Sequence, residues 1–424
     1  MKKKALWIVC LMLILVTTMV FAQGQAESDK PGKFVMWDKS EYVSAYNDLV
    51  KERFYAFAEA QGIEAEYIVI PPNDLKSKLL AAIEAKNTPD LVVTDDFLAK
   101  QFAGMGQLVD VSDIKNDLPF YDAAINMSYV KNGDYVVPLS FLAPGLYLRK
   151  DKWDAAGLDL PVTWEDYKKD AYLVNDPKND FYALGFPMGA SGGGDAEGMM
   201  RAIILSYGGA LVDENDNIVV NSPETLEALK YISSIYLEGL APPSAITWDD
   251  MGNNNAYLAG TIGVAMNSGS IYSALKNEKP ELLEKTMIRP WPAGPAGSFT
   301  PSGGNVFVVF KNGKNSDAAK LFIRDYFKKD FYENLVIEMG GMWQPVVKGM
   351  DQNAFWKDPT NAAWLASSKT TVPNTYPAVP DENSTRAFSE QVSVKAVQKI
   401  VVNGMDPQQA LDELEADLKR IYNK

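Results

Sequence analysis

The stretch PLSFLAPGLYLRKDKWDAAGLDLPVTWEDY, residues 138–167, holds the densest set of local structural signals in the chain. Its first part leads to the basic-acidic pair Lys150-Asp151. Asp151 is placed to begin a short helix, and Gly157 to end it, because glycine tolerates the left-handed backbone of a helix C-terminus. Thr163 predicts the N-cap of a second helix, with Asp166 at the acidic position of a capping box. The stretch therefore predicts two short helices in succession, the second with a capping box.

Strands and helices also alternate in the segment that precedes this stretch. Residues 34–37, 67–70 and 91–94 are short apolar runs, and residues with helical spacing separate them. Strand–helix–strand units of this kind predict a parallel sheet with right-handed crossovers. Because ligands of such sheets bind beyond the carboxyl ends of the strands, the polar residues that follow these runs are candidates for a binding site.

Further segments resemble a known protein family in a fixed order along the chain. They are NTPDLVVTDD (87–96), YLAGTIGVAMNSGS (257–270), SGGNVFVVFKNGKNSDAAKLFIRDYF (302–327) and NGMDPQQALDELEADL (403–418). In the 138–167 stretch the matching positions are Tyr147, Lys150, Asp151, Gly157, Pro161, Thr163 and Trp164. Together they resemble the motifs of the family 1 extracellular solute-binding proteins, relatives of maltose-binding protein. The chain departs from the family at Asn87, where glycine is usual, and in the second of these segments, which lacks the usual lysine.

The resemblance implies a two-lobed periplasmic-binding-protein fold of type II. In this α/β fold, hinge crossings join the lobes and the ligand lies in the cleft between them. We expect residues 33–139 and 297–342 to form the first lobe, and residues 140–296 and 343–424 to form the second. The resemblance also implies that the closed form docks on the transmembrane permease subunits of an ABC importer.

Residues 1–22 have the features of a secretory signal peptide. A basic start is followed by an apolar run at 5–20 and by small residues at Ala22 and Ala26. We expect cleavage after Ala22, with Ala26 as the alternative, and a periplasmic or extracytoplasmic location for the remainder. Cys10 lies inside the apolar run, whereas a lipoprotein carries its cysteine after such a run, so we expect no lipid anchor.

The composition excludes several kinds of chemistry. The chain contains no histidine and one cysteine, so the Ser-His-Asp arrangement and the commonest zinc ligands are absent. We expect no enzymatic activity, no metal and no cofactor. The chain has 55 acidic and 41 basic side chains, and its net charge of −14 opposes binding to nucleic acid or anionic lipid. The expected partners of this monomer are a small carbohydrate and the permease subunits.

Sugar rings bind to flat aromatic side chains through their C–H faces, and their hydroxyl groups bind to carboxylates and amides. Residues of these types at predicted strand ends and turns, with one glycine that permits close backbone approach, are our candidate ligand-binding residues. They are Trp37, Asp38, Asp95, Asp96, Trp248, Asp249, Asn267, Ser270, Gly304, Asn305, Trp343 and Tyr376.

Each candidate also has a structural alternative. Trp37 would then pack beneath a loop, either Asp95 or Asp96 would cap a helix, and Trp248 and Asp249 would belong to a capped transition from a loop to a helix. Trp153 and Trp164 are aromatic too, but they lie in the predicted helices of the 138–167 stretch and are expected in the core. The glycine run 192–194 lacks the lysine of a phosphate-binding loop, and we interpret it as a flexible loop, for which the rim of a cleft is one location.

The sequence therefore predicts the extracytoplasmic binding component of an ABC importer, which captures a sugar or oligosaccharide by closure of its lobes. One alternative is a secreted glycoside hydrolase, which needs two carboxylates about 5–9 Å apart. The other is a protein of the same fold that binds a polyamine or another non-sugar solute, which the acidic charge would suit. The family motifs oppose the first alternative, and the 9 Trp and 20 Tyr favour a sugar over the second.

Overall fold

The computed structural model describes residues 32–424, apart from residues 42, 44, 132, 191–193 and 379. The expected signal peptide and Cys10 lie outside the described residues. The strands are β1 (Phe34–Lys39), β2 (Ala65–Ile70), β3 (Leu91–Asp95), β4 (Val137–Phe141), β5 (Gly145–Arg149), β6 (Tyr182–Gly185), β7 (Ile262–Asn267), β8 (Thr286–Arg289), β9 (Thr300–Pro301), β10 (Gly304–Val309) and β11 (Thr371–Val372).

Helices connect these strands and cover both sheets. The α-helices are α1 (Ala45–Gln61), α2 (Pro72–Glu84), α3 (Asp96–Gly104), α4 (Ser112–Asp117), α5 (Asp122–Met127), α6 (Lys150–Ala155), α7 (Trp164–Val174), α8 (Gly194–Tyr207), α9 (Pro223–Leu237), α10 (Gly252–Ala259), α11 (Gly269–Glu278), α12 (Pro280–Leu283), α13 (Ser316–Tyr326), α14 (Lys329–Glu338), α15 (Pro359–Lys369), α16 (Glu382–Ser389), α17 (Val392–Asn403) and α18 (Pro407–Ile421). Short 3-10 helices occur at Pro177–Asn179, Pro243–Thr247, Met350–Gln352 and Ala354–Lys357. Within the described part of the chain, no helix combines the length and the apolar character needed to cross a membrane.

The first sheet has the strand order β2-β1-β3-β10-β4. β1, β2 and β3 run parallel, as the alternation of strands and helices predicts, and β10 runs antiparallel to both of its neighbours. Residues of the central strands β3 and β10 are buried on both faces, which explains why their sequences are nearly continuous apolar runs. Because of these directions, the carboxyl ends of β1, β3 and β4 meet the start of β10 at one edge of the sheet.

The second sheet has the strand order β6-β7-β5-β8. β6 and β7 run parallel, and β5 runs antiparallel to both β7 and β8. Asn267 at the end of β7 therefore lies opposite Gly145 at the start of β5. The helices of the 138–167 stretch pack against this sheet, and the predicted capping box of Thr163 and Asp166 is present at the start of α7.

Each sheet belongs to a separate hydrophobic core, so the described residues form two lobes. The first core surrounds a cluster of rings in which Phe34 lies 4.8 Å from Phe54, measured between ring centroids. Trp153 and Trp164 are fully buried in the second core, which confirms that they are structural. The Nε1–H of Trp153 donates to Oδ2 of Asp170 at 2.9 Å, so this buried polar group is satisfied.

Short segments cross between the lobes side by side. Residues 142–144 join β4 to β5, and residues 300–303 return to β10. The two segments are hydrogen-bonded to each other, since Leu142 N–H donates to the carbonyl oxygen of Gly303 at 3.2 Å and Ser302 Oγ donates to that of Leu142 at 3.0 Å. β11 lies parallel to β9 in the same region.

The last crossing lies further along the chain than the expected boundary between residues 342 and 343. Trp343 and Trp356 both pack in the core of the first lobe. Trp364 of α15 packs with residues of the second sheet, and its ring lies 5.8 Å from that of Tyr147. The chain therefore passes to the second lobe along α15, because the apolar residues before this helix still belong to the first core.

Candidate ligand-binding cleft

Two adjoining cavities lie between the lobes, with volumes of about 210 and about 500 Å³. The residues that line both cavities are Leu142, Gly194, Gly303, Asn374 and Phe388. They come from two of the crossings, from the segment after β11, and from the N-terminus of α8 and the body of α16. The cavities are therefore parts of one cleft to which both lobes contribute, and this cleft is our candidate binding site.

The wall formed by the second lobe contains a network of amide and carboxylate groups. Oδ2 of Asp195 accepts hydrogen bonds from the Nδ2 groups of Asn267 at 2.9 Å and Asn253 at 3.3 Å. Asn253 is fully buried, and its Nδ2 also donates to the carbonyl oxygen of Met266 at 2.8 Å. Asp195 is thus fixed from one side by two neutral donors, and Asn267 and Asp195 both line the cleft.

Asn267 is itself held by the turn that follows β7. Its Oδ1 accepts a hydrogen bond from Ser270 Oγ at 2.8 Å, and its Nδ2 also donates to Oδ1 of Asn254. Asn254 Nδ2 in turn donates to Ser270 Oγ at 3.2 Å. The predicted residues Asn267 and Ser270 are therefore brought together, with Asn267 at the cleft and Ser270 supporting it.

The carboxyl group of Asp195 is partly desolvated. Burial first, and the nearby carboxylate of Asp250 second, raise its pKa to about 7, against a smaller lowering by the hydrogen bond from Asn253. Oδ1 of Asp250 accepts a hydrogen bond from the backbone N–H of Asp195 at 3.3 Å, which holds the two carboxyl groups close together. Both residues line the cleft at the start of α8, where the helix dipole favours a negative charge.

Two aromatic side chains line the cleft from the second lobe. Trp291 is nearly fully buried, and its Nε1–H donates to the carbonyl oxygen of Pro144 at 2.9 Å, so the orientation of the indole is fixed. Phe388 is partly buried and lines both cavities. The guanidinium of Arg201 lies 5.2 Å from the centroid of the Phe388 ring, and Arg201 Nη1 donates to the carbonyl oxygen of Asn374 at 3.0 Å. One buried arginine therefore supports two residues of the cleft.

The wall formed by the first lobe contains the predicted residues Asp95, Asp96 and Gly304. Asp95 caps α3 by accepting the backbone N–H of Leu98 at 2.7 Å. Asp96 pairs with Lys100 at 2.7 Å through Oδ2, and its Oδ1 accepts the N–H of Gly304 at 3.2 Å. The expected capping role thus falls to Asp95, while both carboxylates also border the cleft.

A glycine is required where β10 begins. A Cβ atom on Gly304 would overlap the carbonyl oxygen of Ser140 on β4, and one on Gly303 would overlap Oδ1 of Asp96. The backbone at this point packs directly against its neighbours, which is the close approach that glycine permits.

Asp38 lies at the same edge of the sheet, but its side chain points into the first lobe. Tyr67 Oη donates to Oδ2 of Asp38 at 2.5 Å, and Tyr46 Oη donates to Oδ1 at 3.4 Å. Asp38 is fully buried, and burial raises its pKa to about 7. Trp37, on the opposite face of β1, packs against the core while remaining partly exposed. Neither side chain lines the two cavities.

Asn305 and Trp343 are also placed away from the cleft. Asn305 is fully buried, where its Oδ1 accepts from Lys39 Nζ at 2.7 Å and its Nδ2 donates to Glu41 at 3.1 Å. Trp343 is fully buried with its ring centroid 4.7 Å from that of Tyr46. The expectation that Trp343 stacks on a ligand is therefore corrected, because in this structure the first core covers the whole side chain.

The remaining candidates lie outside the two cavities. Trp248 is partly buried beneath the turn that precedes α10, and its Nε1–H donates to Ser244 Oγ at 3.2 Å. Asp249 is exposed and accepts the backbone N–H of Met251 at 3.0 Å. Tyr376 is 41% exposed and stacks on Phe299 with the centroids 6.2 Å apart. Trp248 and Asp249 therefore lie in a transition from a loop to a helix, as their structural alternative expects, but the N-cap residue Met251 makes no side-chain capping bond.

Sequence reasoning did not select Asp195, Trp291, Asn374 or Phe388. The available signal for Asp195 was the glycine run that precedes it, since Gly194 lines both cavities while Gly192 and Gly193 lie outside the described residues. No local pattern marks the other three. Among the described residues, no group of three or more acidic, His or Cys side chains is arranged to hold a metal ion.

The cleft and the two-lobed α/β fold have counterparts among known proteins. Residues 37–332 match the family model described as bacterial extracellular solute-binding protein. A binding protein of Brucella abortus (strain 2308) is 25% identical over 291 residues, which are 68% of this chain and 69% of that protein. The arabinooligosaccharide-binding protein of Halalkalibacterium halodurans is 25% identical over 279 residues, 60% of this chain and 58% of that protein. The structure of the sugar-binding protein MalE from Xanthomonas citri matches this one with a TM-score of 0.78 at 18% sequence identity. The match covers 92% of this chain and 97% of that one, and it confirms the expected two-lobed fold.

Proposed function

We propose that this chain, which belongs to the family of bacterial extracellular solute-binding proteins, captures a sugar or oligosaccharide between its lobes and delivers it to the permease subunits of an ABC importer. The observation that carries the proposal is the cleft, which both lobes line with aromatic and hydrogen-bonding side chains. The relative that is named an arabinooligosaccharide-binding protein supports carbohydrate as the ligand class.

The side chains of the cleft suit the two faces of a sugar. Phe388 offers apolar ring surface to the C–H groups of a pyranose or furanose, and the small exposed part of the nearly buried Trp291 adds to it. Asp195 and Asn267 offer oxygen and nitrogen atoms to its hydroxyl groups from a rigid, mutually hydrogen-bonded network. From the first lobe, Asp95 lies at the edge of the same cleft and adds an acceptor.

Binding is coupled to closure of the lobes. A ligand that touches both walls makes all of its contacts only when the lobes are together, so it stabilises the closed form. The crossings at 142–144 and 300–303 are short and hydrogen-bonded to each other, which makes them suitable as the hinge. Micromolar affinity needs a net binding free energy of about −8 kcal/mol, within reach of a few stacked rings and charged hydrogen bonds.

The family consists of binding proteins, and we propose that this chain releases its ligand chemically unchanged. Oligosaccharides incubated with the protein and analysed by chromatography should show no cleavage; any turnover would favour the hydrolase alternative. We also propose that the protein acts as a monomer outside the cytoplasm after cleavage of residues 1–22, without a lipid anchor. N-terminal sequencing and labelling with radioactive palmitate test the last two points.

Calorimetry against a panel of sugars and oligosaccharides tests the proposed function. For a sugar that binds, Asn267→Ala should weaken affinity at least about tenfold, because the variant loses a direct donor and loosens Asp195. Asn334→Ala is the matched control, since Asn334 is exposed on α14 and its side-chain amide donates to the carbonyl oxygen of Asp330 in its own helix. Small-angle scattering should show a smaller radius of gyration at saturation. An unchanged radius, or equal affinities for the two variants, would refute capture in this cleft.

A further inference from the structure

The cleft carries an excess of acidic side chains. Among the described residues that line its two cavities, the charged side chains are those of Asp95, Asp96, Asp195 and Asp250. Among those described lining residues there is no lysine or arginine, and Lys100 pairs with Asp96. The acids come from both lobes, so closure brings like charges closer together in a region of lower dielectric, where their repulsion grows.

Of these four acids, Asp195 is the one best placed to accept a hydrogen bond from a ligand. Its Oδ2 already accepts the amide groups of Asn253 and Asn267, whereas Oδ1 receives no hydrogen bond from any residue that the structure describes. The cavity around it is lined by the apolar side chains of Met199 and Met266. A carboxylate in such surroundings, with Asp250 beside it, gains most from a partner that brings positive charge as well as a hydrogen bond.

We infer that the physiological ligand carries a basic nitrogen, as in an amino sugar or an oligosaccharide of amino sugars, and that its ammonium group pairs with Oδ1 of Asp195. This inference rests on the proposed function, since it concerns the same cleft. A neutral hydroxyl group can also donate to Oδ1, but it leaves the charges of Asp250 and Asp95, and that of Asp195 in its ionised form, opposed across the closing cleft. An ammonium group compensates them, while Trp291 and Phe388 still contact the sugar rings.

A matched series of probes isolates the charge. Cellobiose, the corresponding disaccharide of glucosamine, and its N-acetylated form differ only at C2, where they carry a hydroxyl, an ammonium and an acetamide group. Glucose, glucosamine and N-acetylglucosamine form the same series for one ring, and spermidine supplies charge without a ring. By calorimetry at pH 7 and low salt, the amino member of at least one series should bind about tenfold or more tightly than both of its neutral counterparts. The margin should shrink as salt is added.

Substitutions locate the effect. Asp195→Asn keeps the shape of the side chain and should reduce the preference for the amino sugar to less than about threefold. Asp250→Asn, which leaves Asp195 in place, should reduce the preference by a smaller factor. Asp317→Asn changes the net charge equally, but Asp317 is exposed on α13 at the opposite edge of the first sheet, and the preference should be unchanged.

The outcomes separate the two proposals. Tighter binding of the neutral members, or equal preference in the wild type and the Asp195→Asn variant, overturns the inference while capture of a sugar stands. Binding of spermidine with no saccharide bound supports recognition of a cation and refutes the carbohydrate function. Absence of binding by every probe counts against both.

Discussion

Replacement of Glu197 by alanine would remove a buried carboxylate that connects two helices of the second lobe. Oε1 of Glu197 accepts from Arg201 Nε at 2.8 Å and from Ser393 Oγ at 3.0 Å. Its Oε2 accepts the backbone N–H groups of Ser393 at 3.1 Å and Val394 at 3.2 Å. These N–H groups belong to the first turn of α17, for which Gln391 at the N-cap position makes no side-chain capping bond. Glu197 on α8 therefore caps a helix that lies far away in the sequence.

The expected loss of stability follows from what the substitution leaves behind. Glu197 is fully buried and Arg201 is 4% exposed, so the alanine variant retains a buried guanidinium without its carboxylate. Breaking a buried ion pair in this way costs about 3–5 kcal/mol. Each buried N–H group without an acceptor adds about 1–3 kcal/mol, reduced where water reaches it. We expect Glu197→Ala to lower the free energy of unfolding by about 5 kcal/mol, the lower end of these combined losses, and Glu197→Gln, which keeps one acceptor oxygen, by about 2 kcal/mol.

Urea unfolding followed by circular dichroism measures these losses through the midpoint and the slope. Glu227→Ala is the matched control, because Glu227 pairs with Lys230 at 2.8 Å on the surface of α9, where an ion pair contributes about 0–1 kcal/mol. A double variant with methionine at positions 197 and 201 should recover part of the loss, since no charge then remains buried. If Glu197→Ala loses less than about 1 kcal/mol, or no more than the control, the capping argument is wrong.

Three further predictions follow from the site and its supports. Asp38 has a folded-state pKa of about 7 against 3.8 for the free group, so its carboxyl group should cost the folded protein about 2–3 kcal/mol of stability between pH 5 and pH 8. Asp195, whose pKa is raised in the same way, adds a loss of its own, so Asp38→Asn should reduce the wild-type loss by about 2–3 kcal/mol in urea unfolding at the two pH values rather than abolish it; an equal loss in the wild type and the variant would refute the assignment. Gly304→Ala should lower the free energy of unfolding by about 2 kcal/mol through overlap with Ser140, and an unchanged urea midpoint would contradict this. Phe388→Ala should weaken sugar binding up to about tenfold in calorimetry, whereas Tyr376→Ala, which lies outside the cavities, should leave the affinity unchanged. A larger loss of affinity in Tyr376→Ala than in Phe388→Ala would show that the sugar binds elsewhere.

The fold was accessible from the sequence because its signals are local. The capping box at Thr163, the helix end at Gly157 and the alternation of strands with helices each depend on residues a few positions apart. The order of the motifs then indicated the family, and with it two lobes. The last crossing was placed too early, because no local sequence pattern in residues 343–356 indicates that they pack in the core of the first lobe.

The candidate site was less accessible, and Asp38 shows one reason. The apolar run ends at Trp37, which placed Asp38 in a loop, but β1 continues to Lys39. Side chains of a strand alternate between its faces, so Asp38 shares the buried face with Phe34 and Met36. An error of two residues in the end of a strand was enough to turn a buried carboxyl group into an expected ligand contact.

Phe388 shows the other reason. It lies on α16, and it reaches the cleft only because the last crossing returns the chain to the second lobe beside α8. Its ring rests over Arg201, whose position depends on Glu197, and the same arginine holds the carbonyl oxygen of Asn374. The wall of the cleft is therefore built on the buried ion pair that also caps α17. No pattern within α16 encodes this arrangement, because each group in it comes from a different segment and acquires its role only when the lobe has folded.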